Sequence, residues 1–582
     1  MTANGWLVFL LVIQVIHFLG TWKLYVKAGR KAWEALVPVY NAVVLMQIIN
    51  RPKWWVFLLF IPIINLLMFP VIWVETIRSF GRNSRPETFL VILTLGFYIF
   101  YVNYFLDVQY VQDRSTKPRS SAGEWVSSIV FAIIAATLVH TYFMQPFTIP
   151  TSSLEKSLLV GDFLFVSKFH YGARTPMTTV AVPMVHDTVP VLGIKSYLYD
   201  DNPETAKTSW KNKLQLPYFR FPGLQKIKHN DIVVFNWPVD TVRYFFVKEK
   251  RAYLKPIDKK SNYVKRAVGL PGDSLEIREG YVFINGEKIK LPDRAKPQYH
   301  YILETKTPVN ARFRKEYDIT EYSTENLFKY KKELWDNPEI QKYINDLRKK
   351  RMAYLSEYDR DSVFVYLKGD IAQNELQKLK MDYEHSVLII NTTEKAADEI
   401  AKDSNTILIK KDLSPKGEAS NVFPNVFSLG WNQDNYGPIY IPEKGKTVAL
   451  TKETLPFYKR IITVYEHNTL KVDGDTIYIN GQPANSYTFK QDYYWMMGDN
   501  RHNSEDSRYW GYVPYDHVVG KPVFIWMSWD KNGKGLNKIR WDRVFTTVGG
   551  DGNPVSYFKY FLMALAAWFV YDYLRKRKKV TK

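Results

Sequence analysis

Apolar residues are gathered toward the two ends of the chain, and its middle alternates. Runs at 6–22, 54–74, 88–106 and 125–144 are each long and apolar enough to predict a membrane helix, and 557–574 predicts a fifth. Trp and Tyr cluster at the ends of these runs, where interfacial anchors sit. Residues 36–49 are also apolar, but short and broken by Pro38 and Asn41, and read as an interfacial or re-entrant segment. Residues 1–5 carry no Lys or Arg, unlike a cleaved signal peptide.

The middle reads as β-rich at both of its ends. Asp231-Ile-Val-Val-Phe is a buried-strand run. The segments beginning at Tyr281 and Thr476 each carry Asn-Gly between apolar runs, a hairpin signal. Between them, 323–402 is charged and predicts a largely helical, solvent-exposed insert, with helices at 325–334 and 339–354. An internal repeat is also visible. Val264-Lys-Arg-Ala-Val, Leu275-Glu-Ile and the Asn285-Gly hairpin are echoed by Tyr458-Lys-Arg-Ile-Ile, Leu470-Lys-Val and the Asn480-Gly hairpin.

At 582 residues the chain exceeds a single core. Its net charge is +21, but many of its cations lie beside the apolar runs rather than in a stripe with stacking aromatics. That pattern gives topology signals and a solvated surface, and excludes nucleic acid as a partner. With the N-terminus outside, 15 basic residues fall in the inside segments 23–53, 107–124 and 575–582. The outside loop 75–87 holds Arg78, Arg82 and Arg85 against the rule, and 147–555 is then outside. Cysteine is absent, which removes disulfides and thiolate metal sites. No close ligand cluster such as His-Glu-x-x-His occurs, so neither metal nor cofactor is expected.

The chemistry starts a few residues beyond the fourth apolar run. Gln145-Pro-Phe-Thr-Ile-Pro-Thr-Ser-Ser-Leu places serines near the bilayer surface. A serine hydroxyl needs a base. Of ten histidines only His502 lies in a motif-like segment. A lysine can serve if burial keeps it neutral. Tyr263-Val-Lys-Arg-Ala-Val-Gly-Leu-Pro-Gly-Asp sets Lys265 among apolar neighbours on a predicted strand. Gly498-Asp-Asn-Arg-His-Asn-Ser-Glu-Asp-Ser-Arg is a third segment, dense in hydrogen-bonding side chains.

These segments, 149–163, 231–235, 263–273 and 498–514, occur in the order of bacterial type I signal peptidases, and the chain resembles that family in its long, Bacteroidetes-like form. The resemblance implies a mainly β extracytoplasmic catalytic domain of signal-peptidase type with a partly helical insert, plus α-helical transmembrane segments. It divides the chain into a multi-span region (1–123), a leading transmembrane helix (124–146), a first catalytic part (147–300), an inserted lobe (301–440), a second catalytic part (441–555), and a C-terminal helix with basic tail (556–582).

By position, Ser153 resembles the nucleophile and Lys265 the general base. Thr151 stands for the oxyanion-hole hydroxyl, and Leu154 for the usual methionine. Ser504 matches the serine that hydrogen-bonds the lysine, with Asp506 and Arg508 in support, while His502 stands where the family has aspartate. Phe147, Ile149 and Val264 are candidates to line the substrate pockets. Lys459, in the repeat, is the competing base but lacks the Gly-Leu-Pro-Gly-Asp turn. The implied activity is a membrane serine endopeptidase that removes signal peptides from exported preproteins at the plasma (inner) membrane. Its partners are preprotein signal peptides and the bilayer, with the secretion machinery a further candidate. The alternative is a catalytically silent membrane receptor for export substrates.

Overall fold

The computed structural model describes residues 3–118, 120–243 and 250–580. Arg119 and Lys582, counted above among the inside cations, lie outside the described residues. Among those described, two helices are long and apolar enough to cross a bilayer, Gly5–Lys27 and Ser121–Phe143. At about 1.5 Å per residue each reaches about 35 Å, enough for the hydrocarbon core.

The run at 54–74 is not one helix. It folds as Trp55–Leu58, a turn at positive φ on Ile63, and Ile64–Ser79. The run at 88–106 is likewise two helices, Arg85–Leu93 and Tyr98–Tyr104, bent by 117°. Leu95 and Gly96 make that turn at positive φ, with Gly96 against the Trp73 ring, where a side chain would not fit. The C-terminal helix Phe558–Val580 is long enough to span, but Lys559, Asp572 and its tyrosines leave it less apolar than those two.

A buried ion cluster corrects the alternating arrangement of spans. Glu75 pairs with Arg51 at 2.9 Å and with Arg114 at 2.8 Å. Val111 N–H donates to the Ser79 carbonyl, and Asn50 Nδ2 to the Gln112 carbonyl. Groups in direct contact cannot stand on opposite sides of a bilayer. The segments around 50, 75–80 and 110–114 therefore share one side. The loop 75–87 joins the loops read as inside, and its three arginines no longer oppose the positive-inside rule.

Beyond the second spanning helix the chain enters an antiparallel sheet. Its strand order is Met144–Thr148, Asp162–Ser167, Val518–Ser528, Ile232–Asn236, Asn262–Gly269, Tyr493–Met497 and Val513–Pro514. Ile232–Asn236 is buried on both faces, as its unbroken apolar run requires.

The charged middle is mostly sheet, not helix. Six antiparallel strands lie in the order Ala353–Arg360, Phe364–Ile371, Glu321–Lys331, Asp382–Thr393, Gln298–Thr305 and Thr406–Lys411. The helix expected at 325–334 is strand Glu321–Lys331, paired on both sides. Phe328 and Tyr330 alternate inward while Lys329 and Lys331 do not, a period of two hidden among helix-forming residues. The helix expected at 339–354 forms as Pro338–Lys349, capped by Asn337, and ends before the strand that holds Tyr354.

The repeat is retained only in its hairpins. Asn285-Gly286 and Asn480-Gly481 both turn at positive φ between matching strand pairs. The preceding segments diverge: Lys265 lies on strand Asn262–Gly269, whereas Lys459 lies exposed on helix Leu455–Arg460.

Candidate active site

Three segments converge on the antiparallel sheet. Strand Asn262–Gly269 pairs with Ile232–Asn236, setting Lys265 opposite Val233. Its other neighbour is Tyr493–Met497, where Met497 faces Arg266, so the 498–508 loop starts beside Lys265. The loop around Ser153 follows the first strand, Met144–Thr148, directly after the membrane helix.

Lys265 Nζ donates to Ser153 Oγ at 2.5 Å, and both residues are buried, 3% and 8% exposed. Burial lowers the Lys265 amine from 10.5 to about 8, against the opposing pull of Asp506 and Glu505. Gly498 lies against both the Ser153 carbonyl and Ser504 Oγ, so close that a Cβ there would fall within 2.6 Å of each. Glycine at that position is what lets the loop approach the serine.

Two buried ion pairs brace the loop. Arg266 binds Asp499 through two N–H groups, at 2.7 and 2.5 Å, and Arg508 binds Asp506 at 2.9 and 2.8 Å. Burial by itself would raise the Asp499 carboxyl, but Arg266, with Arg501 and the Ser157 hydroxyl, outweighs this and holds it below the ordinary range. Asp506 behaves alike, with Arg508 as the compensating charge. Asp506 also accepts from the Gly498 N–H at 3.1 Å.

The sequence-predicted residues are thus brought together with one difference. Ser504 is buried beside Gly498, but its hydroxyl makes no hydrogen bond, so the expected bond to Lys265 is absent. Thr151 is half-buried two residues before Ser153. Phe147 and Val264 pack partly buried against one apolar cluster, in which Ile149 is fully buried with Leu154 and Val234. His502 is a brace: its Nδ1 accepts from the His300 N–H, and its Nε2 meets Asp434 at 2.7 Å. Sequence reasoning passed over Arg266, Asn500 and Glu321. Arg266 is adjacent to Lys265 and could have been suspected from the acid in the third segment.

A family described as "Signal peptidase, peptidase S26" matches residues 122–337 and 485–529. That range takes in Ser153, Lys265 and the 498–508 loop. Signal peptidase I of Helicobacter pylori is 22% identical over 443 residues, covering 73% of this chain and 91% of the relative. Signal peptidase I of Buchnera aphidicola subsp. Schizaphis graminum is 22% identical over 412 residues, 70% of this chain and 75% of the relative. Over these residues the chain is similar to the signal peptidase family, peptidase S26. The chain is a membrane-associated serine endopeptidase with a mainly β catalytic region. A further match, to a family of unknown function (DUF5684), covers residues 33–113, the helical region that holds Glu75.

Proposed function

We propose that this peptidase removes signal peptides from exported preproteins, with Ser153 as nucleophile and neutral Lys265 as general base. The observation that carries this reading is the 2.5 Å contact between a serine hydroxyl and a buried lysine amine just beyond a membrane helix. Once neutral, the amine presents a lone pair to the hydroxyl over the same distance. It takes the Ser153 proton as Oγ attacks the scissile carbonyl. The Ser153 backbone N–H and the Thr151 hydroxyl stabilise the oxyanion, each worth a few kcal/mol. The C–N bond then breaks, and the protonated Lys265 returns its proton to the departing amine. Water, deprotonated by Lys265, attacks the acyl-enzyme and releases the signal peptide. Asp499, Arg266, Asp506 and Arg508 hold the two reacting side chains in register.

Phe147, Ile149 and Val264 shape an apolar floor suited to small side chains before the cut. Exported chains, delivered by the secretion machinery, reach this floor as they leave the bilayer of the plasma membrane. The domain division follows the same logic, with membrane helices leading into a β catalytic region interrupted by the inserted sheet.

The direct test is incubation of detergent-purified protein with a preprotein, followed by sequencing of the product's new N-terminus. A single cut after a small residue is expected, and an untouched preprotein overturns the reading.

The ion cluster and the positive-inside rule together support one topology. Helix Gly5–Lys27 runs inward, residues 28–118 stay on the cytoplasmic side or dip into the membrane, and helix Ser121–Phe143 returns outward to the catalytic region. The chain has no cysteine, so single cysteines report cleanly. Lys349→Cys is expected to react with an impermeant reagent on intact cells, and Asn83→Cys only after the membrane is opened. Labelling of Asn83→Cys from outside would restore the alternating four-span arrangement.

A further inference from the structure

The inserted sheet meets the active-site loops through Gln298, His300, Asn391 and Glu321, and Glu321 brings a carboxylate there. Glu321 begins strand Glu321–Lys331, and its cross-strand neighbour is Asn391. Three side-chain amides converge on one of its oxygens: Asn391 Nδ2 at 2.7 Å, and Asn500 and Asn503 Nδ2 each at 3.0 Å. Each amide has a second hydrogen, and each directs it elsewhere. That of Asn500 goes to the Ser152 carbonyl at 3.1 Å, that of Asn503 to Ser152 Oγ at 3.2 Å, and that of Asn391 to Asn500 Oδ1 at 2.6 Å.

A carboxylate only accepts, so it dictates which end of each amide faces it. Reversing Asn500 would set its oxygen against both the Glu321 carboxylate and the Ser152 carbonyl. The Ser152 carbonyl belongs to the same peptide unit as the Ser153 N–H. In a trans peptide the two point in opposite directions, so gripping the carbonyl fixes the direction of the N–H. The next carbonyl, of Ser153, is held by the Asn500 backbone N–H at 3.1 Å. Burial disfavours the Glu321 charge, but hydrogen bonds from Ser152, Asn500, Asn391 and Asn503 outweigh it and keep the carboxyl ionised.

We infer that Glu321, supplied by the inserted sheet, is a positioning residue that aims the Ser153 N–H at the oxyanion through Asn500 and the Ser152 carbonyl. The inference rests on the reading of Ser153 as nucleophile. It makes the insert a part of the catalytic apparatus. The role differs from that of Lys265: the oxyanion forms only in the transition state, so a misaimed donor slows turnover without weakening substrate binding.

The test uses full-length protein in detergent and a signal-peptide substrate. Glu321→Gln keeps the shape and removes the charge. It is expected to lower kcat 10- to 100-fold, less than outright loss of an oxyanion donor. KM should stay within about threefold, and the acid limb of the pH profile, set by Lys265, should stay in place. Asn500→Ala should give a similar loss, and the double variant should lose little more than the worse single, because both act on one peptide. Activity of Glu321→Gln within threefold of the parent overturns the inference, as does a loss seated in KM, a displaced acid limb, or losses that multiply in the double variant. A parent protein that does not cut, or a Ser153→Ala variant that does, sinks the nucleophile reading instead. A parent that cuts with Glu321→Gln unimpaired sinks only the role of Glu321.

Discussion

Ser153→Ala is expected to abolish signal-peptide processing, lowering kcat by about 10³-fold or more, because no other group can form the acyl-enzyme. The fold should survive. The substitution removes one hydroxyl and one hydrogen bond to Lys265, and a typical hydrogen bond contributes only about 1 kcal/mol net. The backbone contacts of this loop, Asn500 N–H to the Ser153 carbonyl and Asn500 Nδ2 to the Ser152 carbonyl, do not involve the deleted atom. Preprotein binding should persist, so the variant should retain uncut substrate in a pull-down. Turnover by Ser153→Ala together with an inactive Ser152→Ala would move the nucleophile to the neighbouring serine.

How far the sequence could be read depends on what each signal encodes. The Ser153, Lys265 and 498–508 segments were legible because short stretches of unusual composition carry them, and those stretches survive in any surroundings. Glu321 was not legible. It is one acidic residue in a charged stretch, and only strand pairing and the docking of the inserted sheet bring it to Asn500. The strand at 321–331 was masked by Glu, Lys and Leu, whose helix propensity outweighs a short alternation until neighbouring strands decide the matter. The membrane region failed for another reason. Hydropathy reports how apolar a run is, not whether the chain reverses within it. Positive φ at Ile63, Leu95 and Gly96 and the pairing of Glu75 with Arg51 and Arg114 decide that, and these are tertiary facts. Ser504 shows the limit of positional transfer: the matching residue is present and nearby, yet its hydroxyl is unpaired.

Lys265 variants are expected to be inactive and, in one case, more stable. A lysine in water titrates near 10.4 and is a cation at neutral pH. Burial brings the Lys265 amine down to about 8, so its neutral fraction falls about tenfold for each pH unit below that value. The rate should follow one acid limb with a midpoint near 8 and lie about 100-fold below the plateau at pH 6. Lys265→Arg should be as inactive as Lys265→Ala, since arginine keeps its proton across this range. Lys459→Ala should retain most activity, because that side chain is exposed on a helix rather than buried on the strand that holds Lys265.

Stability supplies the independent check. The folded amine binds protons less readily than the unfolded one, so folding stability rises with pH between about 8 and 10.5 and the full penalty applies below 8. A gap of that size corresponds to roughly 3 kcal/mol at pH 7. Lys265→Met keeps the length, removes the amine, and should raise the thermal unfolding midpoint of the catalytic region at pH 7. That gain should shrink toward pH 10, where the folded amine is already neutral and the unfolded one begins to lose its proton. An inactive and stabilised Lys265→Met separates loss of the base from loss of the fold. A destabilised one, or a rate with no acid limb between pH 6 and 9, would show that Lys265 is a charged structural residue and that the base lies elsewhere.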